Sequence, residues 1–159
     1  MKQIQKPLSL LAVSAVLGLV VASDNPNRIY QLTDLKKVSF AHGSHKITAY
    51  VCDTDSKRQE GMMFLTASEV KNTEGFLFVF PSAAPRSFWM RNTVLPLDII
   101  YLDAAGKVLN IQKGKPYVES GLPSSGSSQY VLELRQGMAS KFGIKPGVKL
   151  KLPAVRAVE

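Results

Sequence analysis

Charged and polar side chains interrupt an apolar stretch at residues 86–103, which reads RSFWMRNTVLPLDIIYLD. Asp98 lies inside the apolar segment LDIIYL, and the alternation of side chains along a strand puts its carboxyl group on the same face as Ile100 and Leu102. An isolated carboxylate among aliphatic side chains is costly, so Asp98 must be paired or protonated. The cationic residues near it in the motif blocks are Arg58, Arg86 and Arg91.

The residues around Asp98 have two interpretations. We expect a bidentate ion pair between Arg58 and Asp98, with hydrogen bonds added by Asn92 and Thr93. In the architectural interpretation this buried pair only fixes the register of the strands. In the functional interpretation it belongs to a polar cleft in which Trp89 is an aromatic platform for a small polar or anionic ligand. The candidate ligand-binding residues are Arg58, Trp89, Arg91, Asn92, Thr93 and Asp98.

Several large side chains near this stretch are predicted to fill the core. A place in the core is favoured for Trp89, the only tryptophan, over a role as platform. The methionines Met62, Met63 and Met90 are predicted to fill gaps in the core rather than to bind copper, because no histidine lies close to them in the sequence.

Residues that commonly perform catalysis are sparse. Cys52 is the only cysteine, so it forms no intramolecular disulfide, and the nearby Asp53 and Asp55 disfavour a thiolate. His42 and His45 fall in one predicted hairpin tip, where exposure to solvent is favoured over metal binding. We therefore predict no catalytic residue, metal or cofactor.

The sequence lacks the motif of one kind of hydrolase and contains a residue pair that another kind could use. A serine hydrolase of the nucleophile-elbow type needs a G-x-S-x-G motif, which is absent. Asp98 and Glu133 form a carboxylate pair that acid/base catalysis could use. The alternative is that Glu133 lies on the polar face of its strand, YVLEL.

The first 22 residues have the pattern of a signal peptide. Lys2 and Lys6 precede the apolar run LSLLAVSAVLGLVVA, and polar residues follow Ala22, after which we place the cleavage. The alternative is an uncleaved anchor, although the run is short for a span. We therefore predict export to the periplasm or the extracellular space, with membrane contact through the signal peptide only.

The chain is basic, with a net charge of +8, or about +6 without Lys2 and Lys6. Its basic residues are dispersed and not interleaved with aromatic residues, so we predict no nucleic-acid partner. The positive net charge is instead interpreted as a cause of weak attraction to anionic membrane or wall polymers. No pattern predicts an oligomeric state.

The order of short elements predicts a mainly β domain. Two hairpins are indicated, one around His42–His45 and one around 104–106, together with a buried strand, GFLFVF, closed by Pro81. A helical turn is indicated with Asp53, Thr54 or Asp55 as its N-cap, a capping box at Thr66 and Glu69 indicates another short helix, and QGMASKFG forms a third with Gly143 at its end. Loops are predicted at PSAAPR and at YVESGLPSSGSSQ, and a final strand after Pro146-Gly147.

These elements predict a small single-domain β barrel with one or two short helices. We assign residues 1–22 to the signal peptide, 23–34 to a linker, 35–152 to the barrel and 153–159 to a frayed tail.

Three blocks resemble a known family in order and spacing. They read RQEGMMF, GFLFVFPSAAPRSFWMRNTVLPLDIIYLDAAGKV and YVLELRQGMASKFGIKPGVKL, and they are similar to the family called domain of unknown function 192. The resemblance implies a compact β barrel, often exported, and no established activity. Three residues depart from the pattern: Phe64 and Leu65 stand where such proteins often have glycine and a basic residue, and Glu60 stands where they often have a basic residue. If those basic positions bind an anion, weaker anion binding is expected of this member.

Three functional hypotheses follow from these observations. We prefer an exported module that binds a small polar or anionic ligand in the Trp/Arg/Asn/Asp cleft. The alternative is a structural or protein-interaction module of the cell envelope, which presents a sheet edge or the Ser/Gly loop. An uncharacterised hydrolase comes last.

Overall fold

The computed structural model describes residues 24–158, which form six strands and two short helices. The strands are β1 (Lys37–His42), β2 (His45–Cys52), β3 (Glu74–Phe88), β4 (Leu97–Leu102), β5 (Val108–Gly114) and β6 (Leu122–Arg135), and the helices are α1 (Asp55–Glu60) and α2 (Met138–Lys141). The predicted signal peptide, residues 1–22, lies outside the described residues. Within them, neither helix has the length and apolarity that crossing a membrane requires.

The strands form one sheet in the order β1-β2-β3-β6-β4-β5. All neighbours are antiparallel except β2 and β3, which are parallel and joined by a connection that contains α1. The predicted mainly β class is therefore confirmed. Closure into a barrel is not, because β1 and β5 lie at opposite edges and do not pair within the part of the chain that the structure describes.

Each face of the sheet carries its own hydrophobic cluster. On the α2 face, Leu77 and Val79 of β3 pack with residues of α2 and of the C-terminal segment. On the opposite face, which we call the α1 face, Phe76 and Phe78 pack with residues that follow α1. Strand β3 is apolar on both sides of its first half for this reason, as its sequence predicted.

Several local predictions are confirmed. Strands β1 and β2 form a hairpin that turns at Gly43 and Ser44, and β4 and β5 form the second hairpin. Thr54 caps α1 by accepting a hydrogen bond from the Lys57 amide. Gly143 follows α2 with a φ of 72°, a conformation that glycine adopts readily.

The loop predicted at residues 81–86 and residues 122–129 of the loop predicted at 117–129 are instead extended parts of β3 and β6, whereas residues 117–121 lie outside the strands. Residues 84–88 of β3 pair with residues 122–128 of β6, past register shifts after Val79 and Pro85. Beyond Val79, β3 is no longer paired with β2, and the part of β6 opposite it is not paired with β4. Each strand therefore has one free edge in this region. A free edge tolerates proline, which has no N–H to donate, and this is why Pro81, Pro85 and Pro123 do not end the strands.

Two other short elements differ from their prediction. The Thr66 amide donates to the Glu69 carboxylate at 2.8 Å, as in a capping box, but the Thr66 hydroxyl donates to the same carboxylate at 2.7 Å instead of accepting from the Glu69 amide, and the segment forms a turn rather than a helix. The final strand after Pro146-Gly147 is reduced to a single bridge between Lys107 and Lys149.

Both ends of the described chain pack on the domain. Residues 24–34 form neither helix nor strand, as a linker would, yet Arg28 is buried and forms an ion pair with Glu60 at 3.3 Å. The folded unit therefore begins before Leu35, and the acidic residue at position 60 is the partner of Arg28. In the predicted tail, Val155 joins the α2-face cluster and the Val158 amide donates to the Asp53 carbonyl at 2.9 Å, so residues 153–158 are anchored.

Candidate functional site

Asp98 is fully buried on the α2 face, beside Ile100 and Leu102 as the alternation predicted. Its Oδ1 accepts from the Lys113 ammonium group at 2.5 Å. Its Oδ2 accepts from the Ala139 amide in the first turn of α2 at 2.9 Å. Asp98 thus joins β4, β5 and α2, which is an architectural role.

The predicted Arg58–Asp98 pair is wrong, because the two side chains lie on opposite faces of the sheet. The guanidinium of Arg58 lies 5.2 Å from the ring of Phe80, which packs on the α1 face. A register shift between Tyr101 and Leu102 places Lys113 opposite Asp98. The cation that Asp98 needed therefore comes from the neighbouring hairpin strand.

Arg58 is held by the backbone around it. Its Nη1 donates to the carbonyl oxygens of Asp53 and Val79 at 2.8 and 2.7 Å, and its Nη2 donates to the Asp55 carboxylate at 2.7 Å. The Asp55 side chain is fully exposed, so water screens this pair and leaves most of the guanidinium charge uncompensated.

A second guanidinium shares the ring of Phe80. Arg86 lies 3.8 Å from the ring centroid, and it donates to the carbonyl oxygens of Ser82 and Ser128. The structure shows no carboxylate paired with it among residues 24–158. Burial, and then the charge of Arg58, lower the pKa of Arg86. The two arginines therefore form a site with an excess of positive charge.

These residues line a groove of about 360 Å³, which we call the Arg58–Trp89 groove. Its lining residues are Asp55, Arg58, Gln59, Phe80, Pro85, Arg86, Ser87, Phe88 and Trp89. Trp89 is 43% exposed, so the prediction that it fills the core is wrong, and its ring is available as a platform. Behind it, Phe88 packs edge-on against Phe78 and Tyr101, which makes this wall rigid.

A cavity of about 30 Å³, which we call the Glu133 cavity, adjoins the groove. Arg58, Gln59, Phe88 and Trp89 line both spaces. The inner space is also lined by Gly61, Phe78, Thr93 and Glu133. Its volume is enough for about one water-sized group.

Glu133 is the unusual group in this cavity. Its side chain is buried, and its Oε2 atom has no hydrogen-bond partner among the described residues. Desolvation by burial raises the pKa of Glu133 to about 8, so the carboxyl group is mostly protonated at neutral pH. A protonated carboxyl group can donate a hydrogen bond, which an ordinary glutamate cannot.

Gly61 keeps this cavity open. Its φ of 47° with a ψ of −127° is a conformation that side chains disfavour. A Cβ atom at this position would lie 2.8 Å from Cζ of Phe78 and 3.7 Å from Oε2 of Glu133. A larger residue would therefore displace the Phe78 ring and narrow the space in front of Glu133.

The other predicted site residues divide between the cavity and an outer loop. Thr93 lines the Glu133 cavity and is buried. Arg91 is exposed and faces Glu119 at 4.0 Å, outside the groove. Asn92 is also exposed, with a φ of 54°, and its carbonyl accepts from the amide of Phe64 at 2.8 Å. Phe64 has a φ of 62°, a conformation that glycine adopts most readily.

The acid/base pair of Asp98 and Glu133 is not formed, because the two carboxyl groups lie on opposite faces of neighbouring strands. Cys52 is buried in β2, and burial raises the pKa of its thiol. Residues 24–158 contain no cluster of three or more His, Cys, Asp and Glu side chains that could hold a metal ion.

A larger depression of about 670 Å³ lies between the C-terminal segment and strands β3 and β6. Among its lining residues, Arg156 is the only charged one. We place the candidate site in the Arg58–Trp89 groove instead, because two arginines, an exposed tryptophan and a perturbed carboxyl group converge there.

The sequence prediction missed Arg86, Phe80 and Gly61 as site residues and considered Glu133 only with Asp98. A signal for Glu133 existed: it shares a strand face with Val131, in a strand whose other face is apolar. The loop predicted at residues 81–86 concealed Arg86, since a loop gives no facing direction.

Comparison with known proteins gives a family and two solved structures. The model of a family described as uncharacterized, domain of unknown function 192, matches residues 37–152. A "putative transcription regulator" from Sinorhizobium meliloti is 31% identical, with a TM-score of 0.65, over 72% of this chain and 91% of its own. A protein of unknown function from Novosphingobium aromaticivorans is 33% identical, with a TM-score of 0.61, over 82% and 91%. A comparison with curated proteins gave no match.

Proposed function

The chain belongs to the domain of unknown function 192 family, and we propose that this member is an exported binding protein for a small anionic ligand held in the Arg58–Trp89 groove. The observation that carries the proposal is the pair of guanidinium groups on one Phe80 ring, with a single, fully exposed carboxylate beside them. Such a site attracts anions.

Both arginines have donors left for a ligand. A guanidinium has five N–H groups, of which Arg58 uses three and Arg86 two in the contacts described above. Most of these contacts are to backbone carbonyls, so they fix the orientation of each guanidinium without neutralising its charge. A bound anion therefore meets preoriented donors, which lowers the entropy lost on binding.

The size and walls of the groove suit a small organic anion. A volume of about 360 Å³ is at the lower end of the range for small-molecule sites. The exposed ring of Trp89 supports a flat or apolar part of the ligand, while the arginines hold its charge. Export remains a proposal that rests on the apolar run before Ala22.

Trp89 provides the assay, because the only tryptophan of the chain lines the proposed site. We expect its emission to change saturably with at least one of sulfate, phosphate, succinate and glucuronate, and not with glucose. Arg86→Gln should abolish the response. The matched control is Arg91→Gln, which removes the same charge from the exposed loop outside the groove and should retain the response.

Two results would contradict the proposal. One is an emission that stays constant with all four anions. The other is an equal loss of the response in both variants, which would attribute binding to net charge rather than to the groove.

A further inference from the structure

The Glu133 cavity contains a polar atom that the fold itself does not use. Oε2 of Glu133 has no hydrogen-bond partner among residues 24–158, although the great majority of buried polar atoms in proteins have one. The cavity in front of it adjoins the Arg58–Trp89 groove, because four residues line both. An orphaned carboxyl oxygen beside a groove is placed to meet part of a ligand.

The titratable groups packed around Glu133 do not satisfy it. Tyr101, on the neighbouring strand β4, donates its hydroxyl to the Leu122 carbonyl. Cys52, on β2, is buried and neutral. From α1, Arg58 donates to the partners given above, and Glu60 accepts from the amides of residues 29 and 30 at 2.6 and 3.0 Å.

The cavity also limits what can reach this oxygen. Its volume of about 30 Å³ admits one oxygen-sized group rather than a ring or a chain. A protonated carboxyl group that donates to an anionic oxygen forms a short, charge-assisted hydrogen bond, whereas an ionised one would repel that oxygen. The Glu133 cavity is therefore selective for a hydrogen-bond acceptor as long as Glu133 carries its proton.

We infer that the ligand is a small oxyanion, and that one of its oxygens enters the Glu133 cavity and accepts a hydrogen bond from the protonated carboxyl group of Glu133 while Arg58 and Arg86 hold the anionic charge. This inference rests on the proposed function and specifies the ligand class. It couples binding to one proton, so affinity falls when Glu133 ionises.

Calorimetric titration of the full-length mature protein between pH 7 and pH 9 tests the inference. The probes are sulfate and succinate, which do not change charge in this range and which distinguish an inorganic oxyanion from a carboxylate. We expect the dissociation constant of the ligand that binds to rise about tenfold between the two pH values. Glu133→Gln keeps an N–H donor that does not titrate, so its dissociation constant should be independent of pH.

Glu133→Met supplies the second variant, because it has a similar volume and no donor. We expect it to bind about tenfold more weakly than Glu133→Gln at pH 7, with an unchanged circular dichroism spectrum. Binding that depends on Arg86 but is independent of pH in the unmodified protein would overturn this inference alone. Failure of sulfate and succinate to bind, with Trp89 emission also unchanged by phosphate and glucuronate, would overturn it together with the proposed function.

Discussion

Replacement of Glu133 by glutamine should change how the stability of the protein depends on pH, even without a ligand. Burial raises the pKa of Glu133 from 4.5 to about 8 in the folded state. The folded protein therefore binds one more proton than the unfolded chain between these values. The stability associated with this proton is fully present below pH 4.5 and is lost as the pH rises to 8.

The size of the effect follows from the shift. One pKa unit corresponds to about 1.4 kcal/mol, so between pH 5 and pH 8 the free energy of unfolding should fall by roughly 3 kcal/mol through Glu133 alone. Glu133→Gln cannot ionise and should lose this dependence. The free energy of unfolding of the variant minus that of the unmodified protein should therefore be larger at pH 8 than at pH 5, by roughly 3 kcal/mol.

Urea unfolding followed by Trp89 emission and circular dichroism at the two pH values measures this difference. Glu119→Gln is the matched control, because it removes a carboxyl group whose side chain is 64% exposed, and it should follow the unmodified protein. Parallel pH dependence in the unmodified protein and Glu133→Gln would show that Glu133 ionises as an ordinary glutamate. The explanation of the cavity would then be wrong.

Three further predictions concern architecture and processing. Asp98→Asn should lower the free energy of unfolding by about 2 kcal/mol, because an amide offers one acceptor oxygen to the two donors, Lys113 and Ala139. The Trp89 response to anions should persist in this variant, and loss of that response in a folded variant would show that Asp98 belongs to the binding site. Arg28→Ala should lower the free energy of unfolding by about 3 kcal/mol, because it leaves the buried carboxylate of Glu60 without its cation. An unfolding midpoint equal to that of Arg91→Ala would show that the Arg28–Glu60 pair does not stabilise the fold. The intact mass of protein recovered from an exporting host should lack residues 1–22, and retention of that segment would favour an anchor.

Part of the fold could be predicted because it depends on neighbours in the sequence. The two hairpins, the cap at Thr54 and the stop at Gly143 are set by backbone conformation and by hydrogen bonds that span a few residues. The face that Asp98 occupies followed from alternation alone. The long pairing of β3 with β6 did not, because Pro81 and Pro85 are compatible with a strand only where one edge is free, and strand order decides which edges are free.

The sequence by itself determined the mainly β class, the membership of the family and the requirement that a buried Asp98 be paired. Which cation pairs with it was decided by a one-residue register shift in the β4–β5 hairpin, and no local pattern encodes that shift. The groove likewise exists only in three dimensions. With the adjoining Glu133 cavity, it brings together Arg58 of α1, Arg86 of β3 and Glu133 of β6. They lie near one another because β3 and β6 are neighbours in the sheet and because both guanidinium groups lie against the ring of Phe80 on the α1 face.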